Sequence, residues 1–418
     1  MWRLLTLALL YVMPAVTAWA DDTRTGIFDS RFRTLQVRLA GRDMLPAIIT
    51  LGGNDTIVIS FDELAEDRSY LRYSLTHCDA SWHPSSLIYS EYIDGFNDVE
   101  VTDFEFSEST TVHYIHYRIV IPDDDMRIKL SGNYLLKVYH EEDPDKTVLQ
   151  ARFSVSENLA GIAAEVTSRT DIDINDRHQQ LKFTVDVGKE NIRDVYSDLK
   201  IEVSQNGRLD NVVMLTSPQR VSGGKAYYEH IRQLIFPSGN EYRRFETSSV
   251  TYPNMNVAEI SYSEPYYHAD LCTDVTRATK PYAYDMTQHG RYRIREYNSS
   301  ESDIQADYIL THFSLDSQQM AGYDIYIDGD LGYRRFSPDT KMYYNEELSR
   351  YEATMLLKQG AYNYCYIAVP TGSDRGFTSV VEGDFYQTVN EYTIKVYYRA
   401  PGSRYDRLLG VTTIFSGK

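Results

Sequence analysis

Three groups of residues in this chain carry side chains that could do chemistry. His77-Cys78-Asp79 places a thiol between an imidazole and a carboxylate, the residue types of a nucleophilic triad. His113 and His116 have a metal-like spacing, and Asp171, Asp173, Asn175 and Asp176 resemble the opening of a calcium loop. Each meets a geometric objection. Successive side chains of a strand point to opposite faces, so His77, Cys78 and Asp79 do not converge if that run is extended. The same rule parts His113 from His116 unless a helix or bulge intervenes. The acidic run has Asp176 where a calcium loop needs glycine and Lys182 where it needs its distal glutamate, so a polar turn is expected.

Other catalytic strings fail sooner. His140-Glu141-Glu142-Asp143-Pro144 puts proline where a zinc site needs its second histidine, and no Gly-x-Ser-x-Gly elbow exists. Gly223-Gly224-Lys225 lacks the upstream glycine and following hydroxyl of a phosphate loop. Ser197-x-x-Lys200 sits on an alternating strand without its partner strings. The chain is expected to be no enzyme, with no cofactor and no metal.

The elements that would position these residues read as strands. Leu181, Phe183, Val185 and Val187 alternate with polar neighbours, as do Leu199, Ile201 and Val203, then Tyr323, Ile325 and Ile327, then Tyr392, Ile394, Val396 and Tyr398. Such period-two runs predict half-buried antiparallel strands. Helical spacing is scarce; Phe61 to Asp67 is one stretch that could turn once or twice. Turn signals such as Gly52-Gly53-Asn54-Asp55 and Asp328-Gly329-Asp330 separate the runs, which favours sandwiches. The expected fold is all-β, with tandem immunoglobulin-like or early-set β-sandwich domains. Boundaries fall at polar stretches, giving a leader over 1–20, a first sandwich over 21–157, a middle β-rich region over 158–302 and a C-terminal sandwich over 303–418. Gly132-Asn133-Tyr134 and Gly360-Ala361-Tyr362 each head an alternating strand, a weak internal echo between the outer two.

Export is written in the first residues. Arg3 precedes the apolar run Leu4–Val12, and Ala18-Trp19-Ala20 ends in the small-x-small pattern a signal peptidase accepts. The run is too short for a spanning helix, no later stretch is long enough, and no cysteine follows the cut to take a lipid. The formal charge is −18, and loss of Arg3 with the leader makes it −19. Such a chain lacks the basic face that nucleic-acid binding requires. An outer-membrane barrel is disfavoured because the faces opposite the apolar ones carry charge freely. Cys78, Cys272 and Cys365 lie far apart without a C-x-x-C pair and are read as three separate buried thiols. The 36 tyrosines suit strands and interfaces alike.

Strings of a known family run through this pattern. Tyr70-x-x-Tyr73, His77-Cys78-Asp79-Ala80-Ser81-Trp82 and Glu91-Tyr92-Ile93-Asp94-Gly95-Phe96 resemble the first domain of type IX secretion system plug proteins. The likeness continues through Tyr114-x-His116-Tyr117, Ser131-Gly132-Asn133-Tyr134, Gly239 to Phe245, Leu357 to Tyr362, and Asn390-Glu391-Tyr392. It implies a non-enzymatic periplasmic protein that closes the inner mouth of a giant outer-membrane β-barrel translocon. It would touch the membrane only through that barrel and act as a monomer. The motif residues to watch are His77, Cys78, Asp79, Trp82, Glu91, Tyr92, Gly95 and Phe96. Tyr266, Tyr267, Tyr343 and Tyr344 are candidate partner contacts. The alternative is a periplasmic carbohydrate-binding sandwich; Trp82, the one tryptophan left after Trp2 and Trp19 depart, is expected to plug a core rather than stack on sugar.

Overall fold

Alternation along Leu71–Cys78 sends Leu71, Tyr73 and Leu75 inward and leaves Arg72, Ser74 and Thr76 half-exposed. The same pattern repeats through three separate apolar cores in the computed structural model, which describes residues 22–188, 190 and 192–417. The leader at 1–20 lies outside the described residues. No helix among the described residues is long and apolar enough to cross a membrane.

The first sandwich pairs two sheets. One runs Gly26–Ile27, Asp143–Ser156, Gly132–His140, Leu71–Cys78, Val99–Glu100; the other runs Phe32–Leu39, Ile57–Glu63, Ile115–Ile121, Asp103–Phe106. Ile57–Glu63 is buried at every position. Ile57, Ile59 and Phe61 enter the core, which leaves Val58, Ser60 and Asp62 on the opposite face. The helical turn expected from Phe61 to Asp67 does not form, because Phe61, Asp62 and Glu63 give their backbone to Phe32–Leu39 and Ile115–Ile121.

The second core lies between a sheet centred on His178–Asp186 and one running Val213–Leu215, Leu199–Gln205, Glu391–Tyr398, Arg407–Phe415. The third lies between a sheet built on Gly360–Pro370 and one running Val257–Ser263, Tyr266–Leu271, Tyr308–Asp316, Arg350–Lys358, Tyr343–Asn345. Here the expected boundaries need correction. The chain leaves the middle sandwich after Ile235–Pro237, builds the third, and returns at Glu391, so the third is inserted into the middle one. Leu199 pairs with Tyr398 and Gln205 with Tyr392. The polar run after Asn298 is a surface turn inside the third sandwich, not a border: Glu296 N–H donates to Ser302 Oγ at 3.0 Å. Alternation shows which face of a strand is buried, but not which distant strand pairs with it.

The two Gly-x-Tyr heads resemble each other in space as well. Tyr134 hydroxyl donates to Leu130 carbonyl, and Tyr362 hydroxyl to Lys358 carbonyl, each four residues upstream. Each ring also stacks on its cross-strand phenylalanine, Phe153 at 5.5 Å and Phe245 at 5.0 Å.

Candidate functional site

The polar groups of this chain gather where sandwiches meet. At the first–third junction, two cross-strand pairs come together: Asp62 with His116, and Tyr308 with Lys358. Tyr308 hydroxyl and Lys358 Nζ both donate to Asp62 Oδ2 at 2.6 Å, and His116 Nδ1 lies 2.6 Å from Asp62 Oδ1. Lys358 Nζ also stands 4.0 Å from the centre of the Tyr114 ring. Burial pushes the Asp62 carboxyl up, but Lys358 and His116 outweigh it and hold the group below its usual range. Burial pulls the Lys358 amine down against the pull of Asp62. Side-chain exposure is 0% for Asp62 and 1% for Lys358, so this ion pair has no surface to offer a substrate. Its work is to join two sandwiches. Beside it, Asp307 of the third sandwich accepts Thr111 N–H at 2.8 Å and Thr111 hydroxyl at 2.7 Å.

At the first–middle junction stand the motif residues. His77 Nε2 lies 3.0 Å from Ser131 carbonyl and Nδ1 3.1 Å from Ser85 Oγ, while its ring meets Tyr134 and Tyr405 edge-on. Burial lowers its pKa despite the Ser131 bond. Burial likewise pushes the Cys78 thiol up to about 12, so the thiol stays protonated and inert. Asp79 accepts the N–H groups of Ser81 and His83 at 2.8 and 3.0 Å and thereby holds a tight turn. In that turn Ala80 N–H donates to Asp406 of the middle sandwich at 2.9 Å. Arg399 Nε at 2.7 Å and Lys200 Nζ at 3.3 Å complete the Asp406 shell, and Arg407 bridges Glu157 and Glu190 at 3.0 and 2.9 Å. The chain between these sandwiches is stitched down: Glu157 and Leu159 N–H groups donate to Leu408 and Leu409 carbonyls.

The second motif string is mostly structural. Glu91 accepts Ile88 N–H at 2.9 Å with one oxygen and pairs with Arg404 through the other. Tyr92 is buried, and its hydroxyl donates to Leu75 carbonyl at 3.0 Å. Gly95 sits at φ 114, and a Cβ there would collide with Asp125 carbonyl. Phe96 turns its ring outward, 68% exposed.

Several expectations change. Trp82 does not plug a core. It occupies φ 66 in the Asp79–His83 turn, half-buried, because that turn carries the ring off the end of its strand. Arg152 lies 4.3 Å and Lys395 5.5 Å from the ring centre, so the ring already serves as a cation platform. Cys272 is exposed, whereas Cys78 and Cys365 are buried; Cys272 follows the end of a strand and lies beyond the core. Of the tyrosine pairs, Tyr267 and Tyr344 pack against the third core, which leaves Tyr266 and Tyr343 on the outer face of one sheet. Tyr343 is 61% exposed and Tyr266 is half-buried.

The metal-like spacings divide as well. His113 meets Glu66 at 2.8 Å while His116 turns into the buried junction. Asp173 bonds His178 and Asp171 bonds Gln180 in a closed turn. Among the described residues no group of three or more His, Cys, Asp or Glu could hold a metal. Sequence reasoning overlooked Asp62, Tyr308, Lys358, Asp406 and Arg152. One signal was available: Asp62-Glu63 closes the apolar strand Ile57–Glu63, where a carboxylate needs a partner.

Residues 32–157, which span the first sandwich's core, match the family model described as "Type 9 secretion system plug protein 1st domain". A hypothetical protein from Parabacteroides merdae, solved by crystallography, is 42% identical, covers 94% of this chain and 99% of its own, and superposes with a TM-score of 0.93. An alkylpurine DNA glycosylase from Pseudomonas fluorescens aligns over 30% of each chain at 15% identity and a TM-score of 0.19, which carries no argument. No curated protein matches. Through its first sandwich, residues 32–157, the chain belongs to the type IX secretion system plug protein family.

Proposed function

We propose that this chain is a periplasmic plug that binds and closes the inner opening of the outer-membrane β-barrel translocon used in type IX secretion. The observation that carries the reading is the match of the first sandwich to the plug family's first domain. A very wide barrel leaves an aqueous lumen, so its resting state needs a folded stopper. The junctions described above suit that role. Buried ion pairs and stitched linkers resist displacement of one sandwich against another, as a stopper under load must. The contact faces we propose are Phe96 and the outer sheet face bearing Tyr266 and Tyr343, exposed or half-exposed aromatics of the kind enriched at interfaces.

Purification of the tagged chain from outer membranes solubilised in several mild detergents tests the reading. Recovery of a very large β-barrel protein is the expected result, and consistent recovery of the chain without any barrel would overturn it. With so acidic a chain, association is also expected to slow as salt rises if the barrel mouth is basic.

A further inference from the structure

A cavity of about 580 Å³ opens where the three sandwiches meet. Trp82 and Arg152 reach it from the first, Asn206 and Lys395 from the middle, and Tyr333 and Arg334 from the third. Ligand sites favour such junctions and such volumes.

Four of its lining residues sit in backbone turns of an unusual kind. Trp82 has φ 66, Asn206 φ 53, Tyr333 φ 58 and Arg334 φ 54, so every sandwich sends a left-handed turn to the same cavity. Asparagine tolerates this region, but a bulky residue is held there only at a cost in strain. Strain of this sort gathers at ligand clamps, where the surrounding fold enforces it.

The charge of the walls runs against the charge of the chain. The whole chain carries −18, yet seven cationic side chains face four carboxylates here. Most of the cations are neutralised: Arg291 by Glu391 at 2.7 Å, Lys395 by Glu202 at 3.1 Å, Arg334 by Asp328 and Asp330 at 2.9 Å. Two are not. Arg152 donates to Thr23 through Nε and Nη2, and the carboxylates of Glu202 and Asp22 act on it without a direct ion pair among the described residues. Arg38 stands 4.0 Å from Asp43, and its buried Nε has no hydrogen-bond partner. The same walls include the apolar side chains Val37, Val212 and Met214.

We propose that this cavity is a binding site for a carboxylate-bearing ligand with an apolar body, its acid groups received by Arg152 and Arg38. Such a ligand touches all three sandwiches and so favours their assembled arrangement. The proposal does not depend on docking to a barrel.

Trp82 makes the site easy to watch. Trp2 and Trp19 precede the cut after Ala20, so in a chain begun at Asp21 the tryptophan emission reports on this cavity alone. Titration with hippurate, with triglutamate and with trilysine as charge control tests the proposal. A saturable emission change at up to millimolar hippurate or triglutamate is expected, weakened about tenfold or more in R38Q and in R152Q. A response to hippurate identifies a free organic acid as the source, and a response to triglutamate an acidic polypeptide segment. If R152Q fails to fold because Thr23 loses its anchor, R38Q carries the test. Absence of a saturable response to both acids, or equal binding of trilysine, overturns the proposal.

Discussion

Asp62 and Asp406 are both almost inaccessible carboxylates on a border of the first sandwich, at 0% and 1% exposure, yet they are held in different ways. Asp62 faces Lys358 and Tyr308, which are closed off from water between two sheets, and His116, which keeps a narrow exposed edge. Asp406 is reached from the solvent side by Arg399 and Lys200, which remain partly exposed, and takes a backbone N–H from Ala80. A sealed pair has no substitute if one partner goes, because water cannot solvate the remaining charge. A half-open pair can be rehydrated. The first–third junction should therefore behave as one all-or-none lock, and the first–middle junction as many small ties.

The largest expected effect follows from the lock. Lys358→Met should destabilise the chain by about 3–5 kcal/mol, since it strands Asp62 in a dry interior. Asp62→Asn in the same chain should restore part of that loss, which urea denaturation of both variants will show. A Lys358→Met loss under about 1 kcal/mol would mean that water enters the junction and that the two borders are alike. A smaller effect is expected on the other border from Gly132→Ala. Gly132 sits at φ 138, and a Cβ there would lie 2.5 Å from His77 Nε2 and 3.2 Å from Asp406 carbonyl. Displacing the His77 ring should cost about 1–3 kcal/mol, read by the same denaturation. Wild-type stability in that variant would show that the His77 contacts contribute little.

How these borders could be foreseen differs residue by residue. The strands were legible because a run such as Leu181 to Val185 buries one set of alternate residues in a core and leaves Lys182 and Thr184 outside it. Their partners were not. Nothing local to Leu199 says that it pairs with Tyr398 across an inserted sandwich. The strand Glu391–Tyr398, expected to be half-buried, is buried on both faces for the same reason: Tyr397 hydroxyl donates to Asn133 of the first sandwich at 2.9 Å. Motif strings pointed to the right border without revealing its chemistry. His77-Cys78-Asp79 looked like a nucleophile's surroundings and is a buried turn that presents Ala80 to Asp406. Lys358 lay inside the Leu357–Tyr362 string without a role of its own, because its partner Asp62 is distant in sequence.

Acid should separate the two borders further. Burial depresses the His77 pKa, so its neutral form is favoured in the folded chain, facing Ser85, Ser131, Tyr92, Tyr134 and Tyr405. The unfolded chain then binds more protons below the ordinary imidazole value of about 6.5. The His77 contribution is whole above that value and is lost as pH falls beneath it. Asp62, held below the usual carboxylate range, keeps its own contribution until pH falls below about 3.9. Urea midpoints at about pH 7.5 and about pH 5.5 bracket the imidazole value. The wild-type midpoint should drop across that window by more than that of His77→Asn, and an equal drop in both would remove His77 from the account.

The smallest effect completes the comparison. Arg404 and Glu91 form an ion pair that ties the second motif string to the middle sandwich, with the arginine side chain 54% exposed. An exposed pair gains little over its hydrated partners and is screened by salt. Arg404→Ala should therefore shift stability by no more than about 0.5–1 kcal/mol, and less in high salt. Glu91 would still hold Ile88 N–H, so the local turn survives the loss. If Arg404→Ala instead matched Lys358→Met in size, the first–middle border would be a lock as well, and exposure would be the wrong measure of what a junction can lose.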